Sequence, residues 1–483
     1  MVNPGHAFNK TLQEAIRLHR LGNIDRAINS YYSLLDEHPV QPDLWHLLGV
    51  AAHQKDDNSL AVKLIKTAIS IKNDVADYHN NLGMALRGLC QDAEAEQVFR
   101  DAIELNPMHT KALSNLASIL RQKGKTSAAL NYARKAVATN EADPEAYNNL
   151  GNAEKDAGLL EESVASYRRA IDLAPEFALA HWNLSLALLT TGHYEEGFSE
   201  MGWRWRWRNF PGKSRHFDQP QWNGNSFCGQ TLFLYTEQGL GDIIHMLRFG
   251  LGPKSKGGRV VLEIPKALVS LAQESNIADR IVQSGNKLPY FDLQASLMDI
   301  PRICRLDERE LFNSADYLSV PKNQMANWQN QLTQYSGLRV GLNWSGNPEN
   351  PVEKFRQLPI DLIVNLKSIS GVTWFSLQKG DRSAPPLPKF FPIIDTGKGN
   401  LENTSGLINA LDLIITSDTA VAHLAGALGK RVWVLLHHSP DWKWGLGKTT
   451  PWYPSARLFR QTSPSDWDSV FAIVSAELSK MVA

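Results

Sequence analysis

The sequence predicts an α solenoid followed by an α/β region of two Rossmann-like lobes. Two patterns support this fold class: residues of one kind recur every 34 positions over residues 8–208, and from Thr231 onward short β-rich runs alternate with helical stretches. At 483 residues the chain is too long for a single core. Its composition, 43% hydrophobic and 21% charged, is typical of folded protein and excludes a mostly disordered chain.

The N-terminal repeat has a physical role for each recurring residue type. Glycine fits the turn after the first helix of a unit, proline ends the second helix, and Leu-Gly pairs such as Leu82-Gly83 let two helices approach closely while Phe99 or Tyr167 fills the space between them. The recurring positions are Gly22, Gly124, Gly158 and Gly192; Ala27, Ala61, Ala95 and Ala129; and Pro39, Pro107 and Pro175. This pattern resembles the tetratricopeptide repeat, in about six units, and such arrays form a concave groove for peptides or partner proteins.

Asparagines recur in the first helices of these units. The four predicted to bind an acceptor are Asn81, Asn115, Asn149 and Asn183. Two interpretations remain open. The amides either satisfy neighbouring helix ends or form a ladder that binds the backbone of an extended peptide, as in the O-GlcNAc transferases that this array resembles.

The repeat loses its pattern at residues 202–208, which read Gly-Trp-Arg-Trp-Arg-Trp-Arg. Interleaved arginine and tryptophan can bind nucleic acid or sugar rings. A junction packed against the next domain is the favoured interpretation, and the residues that follow, rich in proline, glycine and asparagine, read as a linker.

Seven runs in the second half read as buried parallel strands. The first series comprises residues 231–236, 259–264 and 280–282, and the second comprises residues 338–344, 372–377, 411–416 and 431–436. Two successive parallel sheets predict two lobes facing a cleft, with ligands at the carboxyl ends of the strands.

Two strand-to-helix turns carry the predicted chemistry. The first is Gly239-Leu-Gly241-Asp242, in which Asp242 is either a helix cap or a general base, and His245 is a reserve catalytic candidate. Ile244 stands where a dinucleotide fingerprint requires glycine, which disfavours NAD.

The second turn follows a buried strand and opens an alanine-rich helix. Asp418 or Ser417 is expected to cap this helix, and the free N–H groups at residues 419–421 are expected to form an anion site.

With these turns, Gly239-Leu-Gly241-Asp242 and Asp418-Thr-Ala-Val-Ala-His423-Leu-Ala-Gly-Ala-Leu-Gly-Lys430, residues 230–483 resemble the heptosyltransferase-like glycosyltransferases of family 9, which have the GT-B fold. The resemblance implies that Asp242 deprotonates the acceptor hydroxyl and that Thr419 and Ala420 hold the donor diphosphate. It also implies a donor wall at residues 341–346, a cation from Lys354 or Arg356, and the nucleotide base near Gln378 and Lys379. The predicted donor-binding set is Gly239, Gly241, Trp344, Ser345, Lys354, Arg356, Gln378, Lys379, Ser417, Asp418, Thr419, Ala420 and His423.

The resemblance also divides the chain. The expected domains are a tetratricopeptide solenoid at 1–210, a linker at 211–229, an acceptor-side lobe at 230–335 and a nucleotide-sugar-binding lobe at 336–483. The expected activity is inverting transfer of sugar from a nucleotide-sugar donor to a hydroxyl, most simply a Ser or Thr of a bacterial protein such as flagellin held by the repeats. The alternatives are a lipid-linked or polysaccharide acceptor, with the repeats recruiting assembly partners, or an inactive scaffold.

Composition limits cofactors and location. The one Asp-x-Asp pair, Asp466-Trp-Asp468, reads as a helix cap, and the three cysteines have no zinc spacing, so no metal or other cofactor is expected. A formal net charge of +0 gives no general attraction to nucleic acid. Without an apolar run of about 18 residues, no stable membrane insertion is expected. We therefore expect a cytoplasmic protein.

Overall fold

The computed structural model describes residues 4–212, 215–313, 316–378, 385–396 and 399–483. The chain divides into two compact units, Met1–Glu176 and Phe177–Ala483. The first consists of paired helices, and the second combines helices with two parallel sheets.

The predicted solenoid is confirmed: its helices occur in pairs joined by tight turns. In chain order helices α1 to α12 are Pro4–Arg20, Ile24–Glu37, Pro42–Gln54, Asn58–Ile71, Ala76–Gly88, Asp92–Leu105, Thr110–Gln122, Thr126–Thr139, Pro144–Asp156, Leu160–Leu173, Ala178–Thr190 and Tyr194–Met201. A short 3-10 helix, Gly202–Arg206, follows α12.

The Leu-Gly pairs pack as the sequence predicts. A Cβ atom added to Gly83 would lie 2.5 Å from the Phe99 ring, and one added to Gly151 would lie 2.6 Å from the Tyr167 ring. Both rings are completely buried. Glycine is therefore needed where the two helices of a unit meet.

The turn between the two helices of a unit uses left-handed backbone. Gly124 and Gly158 have φ of 71° and 79°, as a residue without Cβ allows. In two units the same position is Asp56 or Cys90, with φ of 62° and 60°, where a side chain has to accept that conformation.

The α/β region contains ten strands in its described part. Strands β1 to β10 are Thr231–Tyr235, Arg259–Ile264, Arg280–Gln283, Leu293–Ser296, Leu338–Asn343, Val372–Ser376, Ile393–Ile394, Leu413–Ser417, Val432–Leu436 and Ala456–Arg460. They form two parallel sheets, with orders β3-β2-β1-β4 and β10-β9-β8-β5-β6-β7. The seven predicted runs all contain strands, while β4, β7 and β10 were not predicted. The two-lobed α/β fold is confirmed.

The helices of this region follow the strands, as parallel connections require. Helices α13 to α23 are Leu240–Met246, Leu251–Lys254, Val269–Glu274, Ile300–Cys304, Glu308–Phe312, Lys322–Leu332, Glu353–Arg356, Ile360–Asn365, Leu401–Ala410, Ala420–Ala427 and Trp467–Val482. Helix α13 begins after β1 and helix α22 after β8, and each starts at the carboxyl end of its strand.

Helices α11 and α12 pack on the α/β region. Helix α11 contacts the 3-10 helix Gly202–Arg206 and the segment Trp442–Trp444, and α12 contacts α16. For this reason the second compact unit begins at Phe177, upstream of the predicted solenoid boundary at residue 210.

One apolar cluster runs through both lobes. It includes Leu232 and Leu234 of β1, Ile243 of α13, Ala422 of α22 and Val434 of β9. Because the two helices that follow the predicted turns share this core, their positions relative to each other are fixed by packing.

Candidate functional site

The two turns predicted from the sequence meet in the structure. A Cβ atom added to Gly241 would lie 2.9 Å from Cδ2 of His423 and 3.6 Å from Cα of Ala420. Glycine at position 241 therefore lets the start of α13 lie directly against the start of α22. Asp242 follows on α13, at the edge of this contact.

Asp242 is a partly exposed carboxylate bound to a buried lysine. Its Oδ1 lies 2.8 Å from Nζ of Lys443, and its side chain is 29% exposed while that of Lys443 is 3% exposed. Burial alone would raise the pKa of Asp242, but the Lys443 ammonium outweighs it and holds that pKa below its ordinary value. Asp242 is thus an ionised carboxylate that solvent can reach, so an oxygen is available to accept a proton.

Helix α22 starts without a side-chain cap. Thr419 is its N-cap residue, with extended backbone, and its hydroxyl donates instead to Oδ1 of Asn343 at 2.9 Å. The expected cap by Asp418 or Ser417 is wrong, because both residues lie before the N-cap position and neither side chain accepts a bond from the helix. Among the described residues, nothing accepts a hydrogen bond from the N–H groups of Ala420 and Val421.

Asp418 and His423 lie behind this helix start. His423 Nε2 is 3.8 Å from Asp418 Oδ1, and both side chains are nearly buried. Burial, with the charge of Asp441 added, raises the pKa of Asp418 to about 6. Burial, with the charge of Lys443 added, lowers the pKa of His423 to about 3, so this imidazole is neutral. His423 Nδ1 lies 3.0 Å from the Tyr453 hydroxyl, and its ring stacks on Trp444.

Of the two predicted cations, Arg356 is the one beside the helix start. A Cβ atom added to Gly346 would lie 2.7 Å from Nη2 of Arg356 and 3.3 Å from Cγ2 of Thr419. Arg356 donates to Glu353 at 2.6 Å, and the same carboxylate accepts from the Ser345 hydroxyl. Lys354 is exposed and lies over the ring of Phe355.

Other members of the predicted donor site shape the segment at residues 341–346 or are buried. Gln378 Oε1 accepts from the N–H groups of Trp344 and Ser345 at 3.2 and 3.1 Å, so its amide is occupied in shaping residues 341–346. Trp344 is 5% exposed and packs in the second apolar cluster, contrary to its predicted place on a donor wall. Ser417 is completely buried at the end of β8. Lys379 lies outside the described residues.

His245 does not reach solvent. Its side chain is completely buried, and its Nδ1 lies 3.0 Å from the Tyr453 hydroxyl. Burial holds its pKa well below the ordinary value. The reserve catalytic prediction conflicts with this burial, because a residue that no substrate can touch in this conformation cannot exchange a proton with it.

The tryptophan-arginine segment packs as a junction, as the favoured interpretation expected. Arg204 is completely buried and donates to Glu237 at 2.9 and 2.5 Å and to Asp299 at 2.9 and 3.1 Å. Trp203 is covered by the His181 ring on one side and by the Arg206 guanidinium at 4.3 Å. Since Glu237 lies directly before the Gly239 turn, this segment anchors the turn that carries Asp242.

The asparagines of the first compact unit bond to one another and to other side chains across repeats. Asn115 Nδ2 donates to Asn80 Oδ1 at 3.0 Å, Asn149 Nδ2 to the Ser114 hydroxyl at 2.7 Å and Asn81 Nδ2 to His46 at 2.8 Å. The interpretation that they satisfy helix ends is therefore wrong for these three. A cavity of about 230 Å³ lies among them, lined by Val50, His53, Ile65, Asn80, Asn81, Met84, Lys111, Ser114, Asn115, Asp143, Glu145 and Asn149. Asn183, in the second unit, is not part of this lining.

Sequence reasoning missed Lys443 and Asp441. Both lie in the segment after β9, at the carboxyl end of the second sheet, and Lys443 reaches Asp242 on the other lobe. The available signal was a lysine between two tryptophans in the loop that follows a buried strand, on the side of the sheet where ligands of such folds bind.

Two properties of the described part of the chain bear on the remaining expectations. No helix there combines the length and apolarity needed to cross a membrane. Within the same residues, no group of three or more His, Cys, Asp and Glu side chains is placed to hold a metal ion. A metal-independent mechanism stays a prediction.

Comparison with known protein families agrees with this architecture. Tetratricopeptide-repeat models match residues 12–76, 76–109, 110–142 and 151–192. The model of glycosyltransferase family 9 (heptosyltransferase) matches residues 388–467, which include β8, α22 and Lys443. The chain thus combines tetratricopeptide repeats with a family 9 glycosyltransferase domain, and it is a glycosyltransferase.

Individual proteins are similar to all or part of this chain in sequence. Protein FlbA of Caulobacter vibrioides is 26% identical over 495 residues, spanning 95% of this chain and 81% of that protein. A thermophilic TPR protein in Thermus thermophilus is 22% identical, covers 38% of this chain and 99% of its own, and has a TM-score of 0.34. YrrB, described as a TPR protein with an unusual peptide-binding site, is 22% identical over 36% of this chain and 95% of its own, with a TM-score of 0.29.

Proposed function

We propose that this glycosyltransferase moves a sugar from a nucleotide-sugar donor to a hydroxyl of a polypeptide, with inversion and with Asp242 as the base. The observation that carries the proposal is the contact at Gly241, which brings the Asp242 turn against the start of α22. A carboxylate that solvent can reach and a helix start with free N–H groups are the two parts that such a transfer needs.

The donor diphosphate would lie at the start of α22. The N–H groups of Ala420 and Val421 and the positive end of the helix favour an anion there, and Arg356 adds a positive charge beside Thr419. These groups would stabilise the charge that develops on the leaving diphosphate. The acceptor oxygen attacks the anomeric carbon from the opposite face and transfers its proton to Asp242. One base and no covalent intermediate imply inversion.

The acceptor would be a protein segment bound by the repeats. The amides of Asn81, Asn115 and Asn149 line one cavity, and amide groups can bind a peptide backbone in any sequence. Flagellin as the acceptor and the bacterial source rest on the resemblance in layout, whereas the cytoplasmic location rests on the composition of the sequence. A lipid-linked or polysaccharide acceptor remains the second candidate, and the repeats would then recruit assembly partners.

The base is tested by Asp242→Asn. We expect turnover to fall by about 10²–10⁴-fold, the usual contribution of a general base, with donor binding retained. Asp218→Asn, which removes an exposed carboxylate elsewhere in the same unit, is the matched control. Activity within a few-fold of the wild type would show that Asp242 is not the base. The anomeric configuration of the product, read by NMR, tests inversion separately.

The diphosphate position is tested by Thr419→Asp. A carboxylate at this helix start would repel the diphosphate and weaken donor binding, whereas Thr419→Ser keeps the hydroxyl and should not. Unchanged donor affinity in Thr419→Asp would rule out the start of α22 as the anion site.

The acceptor class is tested in the full-length chain with Asn115→Leu and Asn149→Leu combined. Transfer to protein, measured by mass spectrometry of flagellin and other cellular proteins, should be lost while donor hydrolysis continues. Transfer that is unaffected by the double substitution would favour the lipid-linked or polysaccharide acceptor.

A further inference from the structure

Lys443 occupies an unusual place for a lysine. It is in the short 3-10 helix Trp442–Trp444, and its side chain is 3% exposed. Its ammonium lies 2.8 Å from Asp242 Oδ1 and 2.7 Å from Asp441 Oδ1. The two carboxylates are 29% and 39% exposed, so the lysine lies beneath two acids that face solvent.

The segment that carries Lys443 is built to fix the ammonium. Asp441 caps the 3-10 helix by accepting from the Lys443 N–H at 3.1 Å, and the same oxygen accepts from Nζ. The ammonium lies 5.0 Å from the Trp442 ring centroid, and Trp444 is completely buried. Asp441 therefore fixes the position of the Lys443 ammonium, and the ammonium in turn fixes the Asp242 carboxylate.

Lys443 is surrounded by several other charged and titratable groups. The titratable and charged groups around the site come from four places. They are Asp242 and His245 of α13 with Arg248 just after it, Asp418 and His423 at α22, Arg356 of α19, and Asp441 with Lys443 in their own segment. Arg356 is already paired with Glu353. Without Lys443, Asp242 and Asp441 would lose the ammonium that contacts both carboxylates, and the arginines Arg248 and Arg356 would be the positive charges left around the start of α22.

We propose that Lys443 is a positioning residue that holds the Asp242 carboxylate at the start of α22 and supplies the positive charge that lets an anionic nucleoside diphosphate lie beside it. This inference rests on the proposed function, which assigns the base to Asp242 and the donor to α22. Lys443 itself touches neither the acceptor nor the anomeric carbon, and acts through Asp242 and through charge.

The test compares Lys443→Met with the wild type in the full-length chain. Binding of a panel of nucleoside diphosphates, measured by calorimetry, should weaken about tenfold or more, as expected when one charge a few ångströms away is lost. An opposite charge within about 4–6 Å lowers the pKa of a carboxylate by roughly 1–3 units. In Lys443→Met the acid limb of the pH profile of kcat/KM, measured for diphosphate release from nucleotide sugars, should therefore move to higher pH by that amount.

Three further variants separate charge from folding. Asp242→Asn combined with Lys443→Met removes both charges and should restore diphosphate binding to within a few-fold of the wild type. Lys443→Arg keeps the positive charge, so the acid limb of the pH profile should stay where it is in the wild type. Lys480→Met removes an exposed lysine from α23 and should change neither measurement.

The outcomes are distinguishable. Unchanged diphosphate binding and an unmoved acid limb in Lys443→Met would overturn the inference. A loss of activity equal at every pH, with no recovery of binding in the double variant, would mean a purely structural lysine and overturn it as well. If the wild type binds no nucleoside diphosphate, the proposed donor site falls and this inference with it. If Asp242→Asn stays active, the base assignment falls.

Discussion

Replacing Arg204 by methionine tests the junction between the last helix pair and the first lobe. Arg204 is completely buried, and Glu237 and Asp299 are 5% and 2% exposed. Four side-chain hydrogen bonds join the three residues, and the Ser296 hydroxyl adds one more to Glu237. Arg204→Met would leave two buried carboxylates, and among the residues that the structure describes the half-buried Arg302, 3.5 Å from Asp299, is the cation that remains beside them.

The expected cost follows from that imbalance. Removing one partner of a buried ion pair destabilises a protein by about 3–5 kcal/mol, because the remaining charge is uncompensated. Combining Arg204→Met with Glu237→Gln and Asp299→Asn removes all three charges, and we expect this triple variant to recover at least about 1–2 kcal/mol of the loss.

Hydrogen exchange is the appropriate assay, since a chain with two compact units need not unfold in one step. Protection of the amides of β1 and of the Gly239 turn should fall in Arg204→Met and partly return in the triple variant. A loss below about 1 kcal/mol, or a triple variant as unstable as the single one, would refute the reasoning that buried charge dominates this cluster.

Three further predictions concern both units. Cys90→Gly should raise the free energy of unfolding by about 1 kcal/mol, because Cys90 has the left-handed backbone that glycine adopts freely, and Gly124→Ala at the equivalent turn should lower it by a similar amount in urea unfolding. Gly241→Ala should push α13 away from the buried imidazole of α22 and reduce transfer at least about tenfold, with the secondary structure seen by circular dichroism unchanged. Burial lowers the pKa of His46 to about 4, below its ordinary 6.5, so the stability it contributes is full above about pH 6.5 and is lost as the pH falls toward 4. His46→Gln should flatten the pH dependence of repeat unfolding in that window, and an unchanged profile would contradict this assignment.

The repeats could be predicted because their determinants are close in sequence. Gly83 and Phe99 belong to consecutive helices, and their contact repeats in other units, so spacing alone reveals it. The main strands could be predicted because parallel strands buried on both faces read as continuous apolar runs. Strands β4, β7 and β10 were not predicted, because β4 and β7 are short and β10 carries arginines within its run.

The candidate site could be predicted only in part. Gly241 and Asp242 were found because glycine and a carboxylate at the end of a strand are local signals. The ion pair of Asp242 with Lys443 was not found, because its two residues belong to different lobes and the sequence does not show where the lysine side chain ends. Trp344 was placed on the donor wall because its position in the sequence does not reveal that its ring turns into the core.

The burial of Arg204 also determines where this chain can be divided. Its guanidinium comes from the segment after α12, whereas both of its carboxylate partners belong to the first lobe. A transferase fragment cut at the predicted linker would begin after residue 210 and would lack the charge that these carboxylates require. A fragment that keeps this ion cluster intact has to include the last helix pair, which begins just after Glu176, where the first compact unit ends.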